Sequence, residues 1–202
     1  MSHEIRIHDL AEPELNDVQR MGLELGETVE TDLSVDAVLA AAVEATGLDD
    51  FGPDDFHERL GLWLSEMDDD PERTGLGRMM MFGDCVRYAS NRLRIRRLLQ
   101  EHPEILDVEI TAPVIVIGLP RSGTTNLVNL LASDSRFRSM PLWESYEPVP
   151  DPRERPGPDG VDPRWTRCQH QWEAMQAGAP FIAAMHPMEP DHVHEELELM
   201  LP

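Results

Sequence analysis

Lysine is missing altogether: all 17 basic residues are arginines, set against 39 acidic ones, for a formal charge of −22. Any chemistry that needs a lysine amine, whether a Schiff base or the ammonium clamp of a Walker phosphate loop, therefore has no candidate residue. The shortage of positive charge disfavours nucleic acid or an anionic membrane as a partner, because both require a concentrated basic face. Cysteine is scarce too. Cys85 and Cys168 stand far apart, with neither the spacing of a zinc site nor the density of a disulfide framework, and both read as reduced structural thiols. No apolar run approaches the ~20 residues of a membrane span, and the opening Met1-Ser2-His3-Glu4 has no basic cap or apolar core of a secretory signal. The expectation is a soluble, cytoplasmic protein.

What is present is a chain of 202 residues whose 41% hydrophobic content is that of a packed globular protein. Residues 1–110 read as a helical region. One helix starts after Ser34, gathers Val35, Val38, Leu39, Ala42 and Val43 on one face and ends at Gly47. A second follows Gly52-Pro53 and aligns Phe56, Leu60, Trp63, Leu64 and Met67. After an acidic link from Asp68 to Gly77, a long amphipathic helix carries Phe82, Cys85, Val86, Ala89 and Leu93 and stops before His102-Pro103. Arg87, Arg92, Arg94, Arg96 and Arg97 crowd that helix and are read as a solvated face paired with the abundant carboxylates. Trp63, Trp165 and Trp172 fall on apolar faces, as core residues do.

The pattern changes at Thr111-Ala112-Pro113. The β-branched run Val114-Ile115-Val116-Ile117 predicts a buried parallel strand, and Leu127, Val128, Leu130 and Leu131 predict a helix ending near Ser133-Asp134. Between them lies Gly118-Leu119-Pro120-Arg121-Ser122-Gly123-Thr124-Thr125, in the strand, loop, helix order of a phosphate-binding unit. A weaker strand candidate spans Arg138 to Leu142, residues 148–163 form a proline-rich loop, and Trp165, Cys168, Trp172 and Met175 mark another helix. Glu195-Glu196-Leu197-Glu198-Leu199-Met200-Leu201 opens a further element just before the sequence stops, so a truncated chain is expected.

Gly118 and Gly123 have Walker spacing, but threonines follow where lysine should, and the cation is displaced to Arg121. A loop of Pro, basic residue, Ser, Gly, Thr, Thr resembles the sulfotransferase superfamily, whose donor is 3′-phosphoadenosine 5′-phosphosulfate. Trp143-Glu144 and the proline-rich loop after it extend the likeness to a bacterial subfamily with a helical N-terminal extension, over about residues 80–200 and most closely over 113–147. The resemblance implies an α/β fold with a three-layer parallel sheet of P-loop type, incomplete here, with residues 111–202 as the first part of the donor-binding domain. It implies that Gly118, Pro120, Ser122, Gly123, Thr124 and Thr125 cradle the donor's 5′-phosphate, with Arg121 at the bridging oxygen. An arginine and a helix N-terminus can stabilise the departing phosphate, so no metal is expected.

Transfer to the hydroxyl of a small-molecule acceptor benefits from a base. Two residues compete: Glu144, favoured by the resemblance, and His186 in Met185-His186-Pro187, against ordinary structural roles for both. Asp191-His192-Val193-His194-Glu195-Glu196 alternates histidines with carboxylates; on a strand His192 and His194 would project oppositely, and they share no helical face, so a solvated acidic segment is expected there rather than a metal site. Two other readings stay open. A kinase or nucleoside triphosphatase would share the cradle but needs Mg²⁺ and a lysine-like clamp; a non-catalytic remnant or interaction module would keep the loop without turnover. Acceptor identity and oligomeric state are not encoded in any motif.

Overall fold

The computed structural model describes residues 5–195 and 197–200. Four helices build the N-terminal part: α1 (Asp17–Thr28), α2 (Val35–Thr46), α3 (Phe56–Asp68) and α4 (Gly75–Glu101), followed by a 3₁₀ turn, Pro103–Asp107. Each of the first two begins where a side chain can satisfy the free N–H groups of a first turn. Asn16 and Gln19 form a capping box on α1, and the Ser34 hydroxyl accepts from the Ala37 N–H at the start of α2. Gly47, at φ +71°, closes α2 in the left-handed conformation that glycine adopts without steric cost. Leu33, Val38, Ala42, Leu64, Cys85, Ala89 and Leu93 form the buried core between α2, α3 and α4. Burial pushes the Cys85 thiol up to about 11, as it does Cys168, so neither is a ready nucleophile.

Helix α1 crosses α4 at a glycine pair. A Cβ on Gly26 would lie 2.2 Å from the Leu76 nitrogen, and one on Gly75 would lie 2.1 Å from the Gly26 oxygen, so the two backbones touch where no side chain fits. The rest of the chain packs on this layer through α5 (Thr124–Ala132), α6 (Leu142–Tyr146), α7 (Pro163–Gly178), α8 (Ile182–Met185) and α9 (Leu197–Met200). Asn16 and Gln19 donate to the Ala177 and Gly178 carbonyls, fastening α1 to the end of α7. Asn91, only 1% exposed, donates to the Tyr146 carbonyl and ties α4 to α6.

The parallel sheet is not present among the described residues. The run Val114-Ile115-Val116-Ile117 pairs with no neighbour, and Ile115 and Ile117 are 69% and 88% exposed. The weaker candidate fails as well: Leu142 begins α6, and only an isolated antiparallel bridge joins Pro141 to Val193. The physical reason is that a parallel strand takes ladder hydrogen bonds from its neighbours and cover on both faces, whereas residues 5–195 and 197–200 supply no second strand. The arginines of α4 also depart from expectation. All five meet carboxylates, but Arg87, Arg92 and Arg94 are only 15–19% exposed and reach across to other segments instead of lying in solvent.

Candidate functional site

The loop enters through Gly118, whose missing side chain lets two others close over it: a Cβ there would sit 2.6 Å from Ser122 Oγ and 2.7 Å from Thr124 Cγ2. The Ser122 N–H then donates to the Leu119 carbonyl, making a tight turn around Pro120. Arg121 takes φ +63° and Gly123 φ +94°, so an arginine occupies a left-handed position that favours glycine. Helix α5 starts at Thr124 with no side chain capping it. Among the described residues, the N–H groups of Thr124, Thr125 and Asn126 have no hydrogen-bond partner, which leaves three donors and the positive end of a helix facing outward.

Two downstream segments fold back onto this loop. The Arg121 guanidinium donates to the Met185 carbonyl at 3.1 Å, next to His186. Asn129 grips Val193 from both sides, donating to its carbonyl at 2.8 Å and accepting from its N–H at 2.9 Å. That clasp brings Glu195 to the helix start, where Oε1 accepts from Thr125 Oγ1 at 3.1 Å. A backbone N–H and the Thr125 hydroxyl hold the Glu195 carboxyl below the usual range. Val116, Gly118, Thr124, Thr125, His194 and Glu195 help line a cleft of about 250 Å³ beside the loop.

The histidine segment corrects the sequence reading. Residues 189–195 turn, through a His192 N–H to Glu189 carbonyl bond and the single bridge at Val193, so strand alternation does not apply. His192 and His194 therefore meet, Nδ1 to Nε2 at 3.3 Å, and the His186 ring lies 5.1 Å from that of His194. His194 is no solvated residue: its side chain is 4% exposed, and burial, with His192 and His186 adding to it, pushes it down to about 4. Asp191 points elsewhere and accepts from Trp165 Nε1 at 3.0 Å. Glu196 lies outside the described residues.

The two candidate bases are placed differently. His186 joins the loop side through the neighbouring Met185 contact. Glu144, in α6, pairs through Oε2 with Arg138, and no described hydrogen bond or ion pair joins it to residues 118–125. The 190–193 segment holds its helix, since the Leu142 and Trp143 N–H groups donate to the His192 and Pro190 carbonyls at 2.9 and 3.2 Å. Sequence reasoning did not single out Asn129, although an amide set within the apolar run Leu127 to Ala132 is the kind of signal that marks a polar clasp.

No curated protein sequence matches the chain. Two crystal structures do. Sulfotransferase STF1 of Mycobacterium tuberculosis is 30% identical with a TM-score of 0.68, and sulfotransferase STF9 of Mycobacterium avium is 27% identical with a TM-score of 0.69. In each case the match covers 85% of this chain, but only 47% and 44% of the two structures, so the chain spans under half the length of either. Residues 113–202, the loop, its cleft and the histidine segment included, match the family model described as the sulfotransferase family.

Proposed function

We propose that this chain carries the donor-binding part of a sulfotransferase that passes a sulfuryl group from 3′-phosphoadenosine 5′-phosphosulfate to a hydroxyl of a small molecule. The observation that carries the reading is the uncapped start of α5, where the N–H groups of Thr124, Thr125 and Asn126 face a glycine-lined turn without partners. The loop's shape fits a phosphate, because the absent Cβ of Gly118 is what allows Ser122 and Thr124 to converge there. On this reading the Ser122 and Thr125 hydroxyls and the N–H groups of residues 122–125 hold the 5′-phosphate, and Arg121 turns from the Met185 carbonyl to the bridging oxygen. Thr125 exchanges the Glu195 carboxylate for phosphate. A helix N-terminus and an arginine aimed at the leaving phosphate lower the barrier to transfer without requiring Mg²⁺.

Glu144 serves as the base in this scheme, with Arg138 orienting its carboxylate, and His186 is the competitor. Glu144→Gln tests the choice: turnover that survives this change removes Glu144 as the base. A cytoplasmic setting belongs to the same reading; among the described residues no helix is long and apolar enough to cross a membrane.

Calorimetric titration with adenosine 3′,5′-bisphosphate and with ATP, each with and without added Mg²⁺, tests the donor assignment. The expected result is binding that prefers the bisphosphate and is indifferent to Mg²⁺. A Mg²⁺-dependent preference for ATP would replace the transferase with a nucleoside triphosphatase or kinase. Failure of a folded chain to bind either nucleotide would leave a non-catalytic module.

A further inference from the structure

The geometry points to a divalent transition-metal site, of the Zn²⁺ class, made by His186, His194 and Glu195 at the edge of the phosphate-loop cleft. The three residues offer one ligand atom each, and those atoms lie within 4.8 Å of one another. A tetrahedral ion with bonds of about 2.0–2.1 Å holds its ligands ~3.3 Å apart, so side-chain rotations of roughly an ångström close the set. Two imidazoles and a carboxylate suit Zn²⁺ or Co²⁺; Mg²⁺ and Ca²⁺ prefer shells made only of oxygen.

The surroundings are those that orient metal ligands. His194 Nε2 faces His192 Nδ1 at 3.3 Å, which leaves Nδ1 as the nitrogen turned toward Glu195, 3.9 Å from Oε2. The other carboxylate oxygen is already fixed, because Glu195 Oε1 accepts from the Thr125 hydroxyl. A ligating histidine usually donates its second N–H to a neighbour and a ligating carboxylate is itself hydrogen-bonded; the Thr125 hydroxyl meets the second condition, and His192 Nδ1 stands within reach of His194 Nε2 for the first. His192 Nδ1 also lies 3.3 Å from the Pro187 carbonyl; with a metal on His194 Nδ1, His194 Nε2–H donates to His192 Nδ1, which then gives up the Pro187 carbonyl. The fourth position opens to the cleft and takes water. Such an ion joins α8's exit, the 190–195 turn and the start of α5 at one point. The inference does not rest on the transferase reading, since only the three side chains and their neighbours enter it.

Titration of the full chain with Co²⁺ tests the site. The expected result is visible d–d absorption of tetrahedral intensity that saturates at one equivalent and is abolished by excess Zn²⁺. His186→Ala, at a half-buried position, and Glu195→Gln should each remove the band while far-UV circular dichroism shows the helices retained. His192→Ala should weaken binding by about 10- to 100-fold, as loss of an orienting neighbour does. Absence of a saturable tetrahedral band, or a band that persists in His186→Ala and Glu195→Gln, would overturn the assignment. The Co²⁺ titration is made without nucleotide, so failure here leaves the donor site untouched and failure there leaves this site untouched.

Discussion

Arg121→Gly is expected to weaken binding of adenosine 3′,5′-bisphosphate by about 10- to 150-fold while moving Tm by no more than about 4 °C. The two effects separate because Arg121 combines a charge the ligand needs with a backbone conformation the residue does not favour. Its φ of +63° lies in the left-handed region, where a side chain costs roughly 1–2 kcal/mol. Glycine removes that cost but gives up its own chain entropy and the bond to the Met185 carbonyl, worth about 0.5–1.5 kcal/mol, so stability barely changes. The affinity loss is that of a charge-assisted contact, about 1.5–3 kcal/mol. Arg121→Ala should lose the same affinity while keeping the strain, which isolates the charge from the backbone. Calorimetry gives the affinities and thermal circular dichroism the Tm. Unchanged affinity in both variants would remove Arg121 from the donor site.

Retention of a strained arginine in a loop otherwise built from proline, glycine and hydroxyl residues is in keeping with a functional constraint, since strain persists where surrounding structure fixes it. It also shows what could be read from the chain alone. Local signals were legible: Ser34 and Gly47 bound α2 where capping chemistry puts them, and the Thr124 start of α5 follows the second glycine. Helix α1 is held differently from the others: Val18, Met21 and Leu25 recur at helical spacing but are 48%, 67% and 52% exposed and do not pack it onto the core. What holds it is a capping box, a glycine crossing and two side-chain bonds to the end of α7, and the last two depend on residues far along the chain.

The strand goes unpaired among the described residues for the same kind of reason. Local propensity in Val114-Ile115-Val116-Ile117 is correct for a strand, but a strand is a pairing and needs a partner that residues 5–195 and 197–200 do not place beside it. The site divides likewise. The loop is contiguous in sequence and could be read directly. The Met185 carbonyl under Arg121, the Asn129 clasp on Val193 and the meeting of His186 with His194 are contacts over tens of residues, set by how 182–195 folds back on α5. Alternation rules applied to 191–196 assumed a strand, and a turn reverses their conclusion.

Arg87→Met is expected to cost about 2–4 kcal/mol, more than any other arginine of α4, because Arg87 is the buried junction of three helices. Its guanidinium lies 4.4 Å from the centre of the Tyr88 ring and 4.5 Å from that of Tyr146 in α6. Nη1 is 2.7 Å from Glu198 Oε2 in α9, which also accepts from the Tyr88 hydroxyl at 3.2 Å. The arginine and Glu198 are only 15% and 20% exposed. Breaking a buried pair by removing one partner costs about 3–5 kcal/mol, and partial solvent access lowers that here. Stacking adds about 0.5–1 kcal/mol per ring and demands a flat cation, so Arg87→Lys should fall between the wild type and Arg87→Met. Much of the loss comes from stranding Glu198. The double variant Arg87→Met/Glu198→Gln should therefore be more stable than Arg87→Met alone, which no account based on lost packing predicts. Urea midpoints at constant m-value measure all four proteins. A cost near the ~0.5 kcal/mol of an ordinary surface change, or a double variant less stable than Arg87→Met, would return Arg87 to the solvated face that the sequence suggested.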